Sequence, residues 1–290
     1  EDGSFSFESI PYGTWYVREI EQPAGFVLDD TIYPVTIGAD GQVVEIEIVN
    51  EYVHGNIHLT KVDSEYPDNK LTGATFEVYK DSNANGKLDD GDELLGTLTE
   101  KEIGEYGMND LFYGRYFVKE TKAPEGFVLD TGVYEVMIDT DGKTYEVENK
   151  AGVGFINDAM RGNLKIVKTS SDGKVKGFAF RITGANGYDI ILETNDKGEI
   201  FIDGLRIGDY TISEVSNSAS SMYVIPADKK ATVKLGSTTI VEMHNVLRDT
   251  PKTGDTTNLP LLYALAGLSA VGIVVCGVIG FKKKKKEDRN

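Results

Sequence analysis

The sequence predicts an all-β protein, a tandem array of β-sandwiches followed by one transmembrane helix near the C-terminal end. Three observations carry this. Short runs alternate apolar and polar residues, as in Phe76-Glu77-Val78-Tyr79, Thr144-Tyr145-Glu146-Val147 and Ile200-Phe201-Ile202, the period that puts one face of a strand into a core. One pattern recurs along the chain at a spacing suited to sandwich domains. The 23 residues from Leu259 to Phe281 carry no charge and would span about 34 Å as a helix, against a hydrocarbon core of roughly 30 Å. Ahead of that segment no amphipathic helix exceeds about two turns.

The recurring unit sets the order of the elements. YGTWYVREIEQPAGFVLDD (Tyr12–Asp30) aligns with YGRYFVKETKAPEGFVLDT (Tyr113–Thr131) and, more loosely, with IGDYTISEVSNSASSMYVI (Ile207–Ile225). Each is followed by an alternating run that ends in an asparagine: Asn50, Asn157 and Asn245. After the first two the pattern restarts, as GNIHLTKVD at Gly55 and GNLKIVKTS at Gly162, with a lysine six positions on, Lys61 and Lys168. Residues 1–54 therefore read as the back half of one repeat, 55–160 and 161–248 as complete repeats, and 249–290 as an anchor segment. No Met opens the chain and Glu1 falls inside a strand-like pattern, so the sequence reads as the C-terminal part of a longer secreted precursor.

Charge narrows the function classes. The 290 residues hold 47 acidic and 30 basic side chains, net −17, which argues against nucleic acid as a partner. The single cysteine, Cys276, excludes an intrachain disulfide, and with only three histidines a structural zinc site is not expected. His54, His58 and His244 have no nucleophile motif beside them and no phosphate-binding Gly loop occurs, so the chain does not read as an enzyme. The charge is also uneven. FKKKKKEDRN at 281–290 is net +4, leaving −21 on residues 1–280. Lys282 to Lys286 should remain cytoplasmic, with the acidic portion outside the cell.

One insertion stands out. Lys61 and Glu120 are 59 residues apart but Lys168 and Glu214 only 46, and most of the excess falls at DSNANGKLDDGDE, Asp81–Glu93. Asp81, Asn83, Asn85, Asp89 and Asp92 occupy positions 1, 3, 5, 9 and 12 of an EF-hand-like Ca²⁺ loop, with Gly86 at the turn and the Lys87 carbonyl at position 7. Asp92 stands where the bidentate Glu is usual. A solvated acidic turn is the other reading of the same residues.

The motifs LTKVD (59–63), LTGATFEVYK (71–80) and ETKAPEGF (120–127), with Asn157 in the terminal strand, resemble the collagen-adhesin B-type repeat of Gram-positive surface proteins, an immunoglobulin-like or prealbumin-like, pilin-type sandwich. The resemblance covers residues 1–248 and implies a self-formed Lys–Asn isopeptide bond in each sandwich. Lys61 would attack the Asn157 amide with Glu120 between them. Lys168, Asn245 and Glu214 would form the second set. Glu19 and Asn50 match in the first repeat, whose lysine strand would precede Glu1. Burial supplies the reason: it lowers a lysine pKa, so that the amine is a nucleophile, and raises a glutamate pKa, so that the acid can polarise the amide. The third repeat has SEVSNSASS where the family shows an E-T-x-A-P-x-G box, and Lys165 competes with Lys168 as the nucleophile.

The end of the chain, TPKTG (250–254), then a polar spacer, the apolar stretch and a Lys tail, resembles a cell-wall sorting signal of the LPxTG type. Pro251, Thr253 and Gly254 match, Lys252 fills the variable position, and Thr250 replaces Leu. The resemblance implies cleavage by a sortase between Thr253 and Gly254, transfer to a peptidoglycan or pilin amine, and only a transient membrane stay. It predicts a secreted, wall-anchored stalk or minor-pilin-type region that requires no cofactor. The alternative is repeats that bind a host matrix ligand such as collagen directly, although no Trp, Arg or Tyr cluster marks a hot spot.

Overall fold

The computed structural model describes residues 3–248, and among them all regular structure is β apart from one 3-10 turn at Ala185–Gly187. No described helix is long and apolar enough to cross a membrane. The predicted anchor, including TPKTG and the 259–281 span, lies outside the described residues. The described residues divide into two compact units, one up to Met160 and the other from Arg161.

The first unit opens with an antiparallel pair, β1 (Gly13–Val17) and β2 (Tyr33–Ile37). A complete sandwich follows: β3 (His54–Asp63), β4 (Thr75–Lys80), β5 (Glu93–Thr97), β6 (Thr99–Glu102), β7 (Glu105–Phe112), β8 (Gly114–Lys122), β9 (Val133–Ile138), β10 (Thr144–Glu146) and β11 (Phe155–Asn157). One sheet has the order β10-β3-β7-β6 with β11 also on β3, and the other β5-β4-β8-β9. Strand β3 shows why. Its period-two pattern turns Gly55, Ile57, Leu59 and Lys61 to one buried face. There Ile57, Leu59 and Tyr106 meet Phe76, Val78, Val118 and Ile138 of the facing sheet. Phe76 sits edge-on to Tyr106 at 5.3 Å and to Phe155 at 4.9 Å. Burying each such side chain contributes about 1.5–3 kcal/mol. Gly55 is required by close approach, since a Cβ there would stand 2.8 Å from Ile138 Cγ2.

The second unit repeats this plan with β12 (Arg161–Ser170), β13 (Ala179–Thr183), β14 (Asp189–Glu193), β15 (Glu199–Arg206), β16 (Gly208–Val215), β17 (Tyr223–Val224), β18 (Lys229–Val233) and β19 (Thr238–Leu247). Its sheets are β15-β12-β19-β17 and β14-β13-β16-β18, closed over Leu164, Ile166, Phe178, Phe180, Ile212 and Met243. Gly162 matches Gly55: a Cβ would lie 2.0 Å from Lys234 O.

In both sandwiches the last strand runs parallel to the first, which ties the two ends of the domain together. The execution differs. Strand β19 pairs with β12 without a break from Asn163↔Thr238 to Ser170↔Asn245. In the first unit the same edge is two short pieces, β10 against Asn56–His58 and β11 against Lys61–Asp63, with residues 147–154 looping out between them.

Candidate functional site

The first sheet pairs Lys61 with Phe155 and Asp63 with Asn157. Asn157 therefore lies two residues beyond the partner of Lys61, on the same inward face. Glu120 comes from the other sheet, opposite Phe76 on β4. The three are only 0%, 3% and 0% exposed for Lys61, Asn157 and Glu120. Asn157 Nδ2 donates to Glu120 Oε2 at 2.9 Å and to Val128 O at 2.8 Å. Asp130 N donates to the same Glu120 oxygen at 2.8 Å. Lys61 Nζ donates to Phe155 O at 3.0 Å. Glu120 Oε1 and Asn157 Oδ1 are buried with no hydrogen-bond partner, an arrangement that costs about 1–3 kcal/mol per unmet group unless a proton is supplied.

Electrostatics leans the site that way. Burial lowers the Lys61 pKa to about 8, against the opposing pull of Glu120, Asp130 and Asp63. Burial also raises Glu120, against hydrogen bonds from Asp130 N–H and Asn157 and the nearby Lys61. Both shifts favour an uncharged pair, a neutral amine beside a protonated acid, the protonation states that amide attack requires.

The second unit assembles the same set. Lys168 pairs with Met243 and Ser170 with Asn245, the same two-residue offset, and Glu214 stands opposite Phe180. Asn245 Nδ2 donates to Glu214 Oε1 at 2.7 Å, while Glu214 Oε2 and Asn245 Oδ1 are the unmet oxygens. Lys168 Nζ bonds Thr169 O and sits 4.0 Å from the Phe178 ring centroid. Burial lowers Lys168 and raises Glu214. The expected competition from Lys165 is corrected here. In a strand, residues three apart face opposite ways, so Lys165 points outward to Glu199, at 2.6 Å. In the first, partial repeat Glu19 and Asn50 also meet, with Asn50 Nδ2 to Glu19 Oε2 at 2.6 Å, Asn50 Nδ2 to Val27 O at 2.9 Å and Asp29 N to Glu19 Oε2 at 2.8 Å.

Residues 1–52, 55–151 and 162–246 match the SpaA prealbumin-like fold domain. The chain belongs to this family. It is 26% identical over 194 residues to the trypsin-resistant surface T6 protein of Streptococcus pyogenes serotype M6, covering 56% of this chain and 34% of that protein, so it spans about a third of that relative's length. Among solved structures, the Bacillus anthracis TIE protein overlays with a TM-score of 0.61 at 26% identity, over 81% of this chain and 42% of that one. The minor pilin of Streptococcus agalactiae overlays at 0.32 and 19% identity, over 69% and 99%. The repeats are thus prealbumin-like domains.

The insertion that suggested Ca²⁺ lies between β4 and β5 of the 55–160 prealbumin-like domain. There Asp81 accepts from Asn85 N at 3.1 Å and Gly86 N at 3.0 Å, and Asp92 from Ser82 N at 3.1 Å and Asp89 N at 2.9 Å. Asp89 accepts from the Asn83 and Asn85 amides at 3.0 and 2.5 Å, and the Arg115 guanidinium stands 3.6 Å from Asp81. Among the described residues no three His, Cys, Asp or Glu side chains gather as metal ligands. In this arrangement Asp81, Asn83, Asn85, Asp89 and Asp92 close the loop on its own N–H groups. Oxygens free for a cation, with the Lys87 carbonyl, would require the two amides and Arg115 to turn away.

The sequence reading passed over the residues that support the glutamate. Phe127 faces Ala159 and Tyr223 faces Leu247, each opposite the second residue after the asparagine. By that register Pro226 falls where Asp130 stands, and a proline has no N–H to give Glu214. The signal was legible: Asp29 and Tyr33 recur as Asp130 and Tyr134, and in both pairs the Tyr hydroxyl donates to the Asp.

Proposed function

We propose that this chain is a structural stalk or minor-pilin-type region of a cell-surface adhesin. It is stiffened by Lys61–Asn157 and Lys168–Asn245 isopeptide bonds and attached by a sortase at Thr253 to peptidoglycan or a pilin amine. The observation that supports the cross-links most directly is the pairing of Glu120 with Asn157, and of Glu214 with Asn245, in a buried site that also holds a lysine. The neutral Lys61 Nζ adds to Asn157 Cγ, and Glu120 gives its proton to the amide carbonyl as the C–N bond forms. Collapse of that adduct expels the amide nitrogen, which leaves as ammonia with a proton taken from the amine by way of Glu120. One amide replaces another, ammonia is released once, and Glu120 ends as it began. Holding the partners together in a folded sandwich is worth about 7–11 kcal/mol towards the barrier. The site turns over once and acts on its own chain, so it is maturation and not enzyme activity.

A cross-link between first and last strands loads the covalent chain instead of the ladder when the repeat is pulled. Attachment at Thr253 rests on the TPKTG, apolar and Lys-rich order of residues 250–290. The test is the intact mass of the chain. The native protein should lack two ammonias, Lys61→Ala should lack one, and an unshifted native mass overturns the cross-linking reading.

A further inference from the structure

We propose that Asn149 is the positioning residue of the Lys61–Asn157 reaction: its side chain replaces the missing stretch of β-ladder and holds Asn157 against Glu120. The proposal rests on the cross-linking reading above. Asn157 comes fifteen positions after Gly142, but Asn245 only nine after Gly236. These two glycines are equivalent, since Gly142 N donates to His54 O and Gly236 N to Arg161 O, each at the start of a first strand. The 55–160 repeat therefore carries extra chain just ahead of its acceptor asparagine. The cost is visible in the ladder, because only the three residues of β11 remain to fix Asn157.

Asn149 lies in that extra chain and makes three hydrogen bonds. Its Oδ1 accepts from Ile156 N at 2.6 Å, and its Nδ2 donates to Ile156 O at 2.8 Å, so one side chain takes up both backbone groups of a residue as a neighbouring strand would. Nδ2 also donates to Asp130 Oδ2 at 2.7 Å. Each contact leads to the reacting groups. Ile156 stands between Phe155, whose carbonyl receives Lys61 Nζ, and Asn157, whose amide is attacked. Asp130 gives its backbone N–H to Glu120. The staple thus joins the elements that place the amine, the amide and the acid. The other complete repeat manages without it, because β19 pairs with β12 unbroken up to Asn245 and runs on to Leu247. The Asn149 amide offers a donor and an acceptor to the one residue Ile156, so loss of the side chain frees β11 rather than the core.

The experiment follows closure in the whole chain, synthesised without cells and sampled over time, with the two cross-linked peptides quantified by mass after denaturing digestion. Asn149→Ala should slow Lys61–Asn157 closure roughly tenfold or more, as expected for a misplaced reactant, and leave Lys168–Asn245 closure in the same molecules unchanged. Glu148→Ala, which removes only a contact to Gly152 N, and Ile57→Val, which loosens the same core, should both close at the native rate. Asn149→Asp supplies a readout that a general loss of stability would not move. Relative to the native chain at the same pH, it should be slow at neutral pH, where its carboxylate faces Asp130, and approach the native rate as pH falls and protonation returns a donor. Native-rate closure in Asn149→Ala, equal slowing in Glu148→Ala or Ile57→Val, or an Asn149→Asp defect independent of pH each overturns the staple. Absence of ammonia loss from the native chain would instead overturn the cross-linking reading itself.

Discussion

The 55–160 and 161–248 repeats place lysine, glutamate and asparagine in the same relation by different means. In the later repeat one unbroken parallel ladder carries Asn245 to its place beside Lys168. In the earlier one the ladder is cut, and side-chain hydrogen bonds from Asn149 restore it. The acids differ as well. Glu120 receives two donors on one oxygen, from Asn157 and Asp130 N, whereas Glu214 receives Asn245 and, by register, Pro226 with no N–H falls at the Asp130 position. What is common to both is the two-residue offset in the parallel pairing and the burial of all three groups. The comparison teaches that the offset and burial define the site, while the supporting contacts are replaceable.

The largest effect separates the two sites outright. Glu120→Ala should abolish Lys61–Asn157 closure and Glu214→Ala the Lys168–Asn245 bond, each restoring one ammonia to the intact mass. Each should also destabilise its own repeat by roughly 4–5 kcal/mol, as loss of a link closing so long a loop predicts. A single substitution that removes both bonds, or neither, breaks the comparison.

A smaller effect lies in the pH dependence of closure. The reactive couple of neutral lysine and protonated glutamate carries one proton, so closure should fall where that proton is lost and where a second is added. Burial sets Lys61 at about 8, so the alkaline fall in the earlier repeat should begin near there. On the acid side Glu120 is raised by burial but held back by Asp130 N–H, a donor that Pro226 denies to Glu214. Donors to a carboxylate lower its pKa, so Lys61–Asn157 closure should persist to lower pH than Lys168–Asn245 closure. Rates measured from pH 5 to 9 would reverse this reading if the later repeat proved the more acid-tolerant.

The smallest effect concerns the 81–92 loop. Its carboxylates are engaged by N–H groups and Arg115, so millimolar Ca²⁺ should raise the stability of the 55–160 repeat by no more than about 1 kcal/mol and leave the other unchanged. A stabilisation several-fold larger, lost in Asp81→Ala, would show that the loop rearranges around the cation.

Much of this was legible in the residues. Alternation at Phe76–Tyr79 and Ile200–Ile202 places these runs in β4 and β15 because a strand's side-chain period is set by local backbone geometry. The recurring Gly-to-Lys spacing is an even number, so Lys61 and Lys168 follow their glycines to the buried face. Lys165 failed the same arithmetic, and its outward position could have been read from parity alone. The rest depends on pairings distant in sequence. Nothing local announces that Asn149 will bond Ile156, that Asp130 N–H will reach Glu120 across a loop, or that the Asp81 loop will satisfy its own carboxylates.

By itself the sequence determined the β class, the repeat and the residue types at each position, because these follow from short-range periodicity and recurrence. Only the tertiary structure decided how close each asparagine comes to its glutamate, which N–H groups reach that acid, and how a broken edge strand is held. Those outcomes depend on the register between strands far apart in the chain and on the burial that shifts lysine and glutamate towards neutrality, and neither is a property of any segment alone.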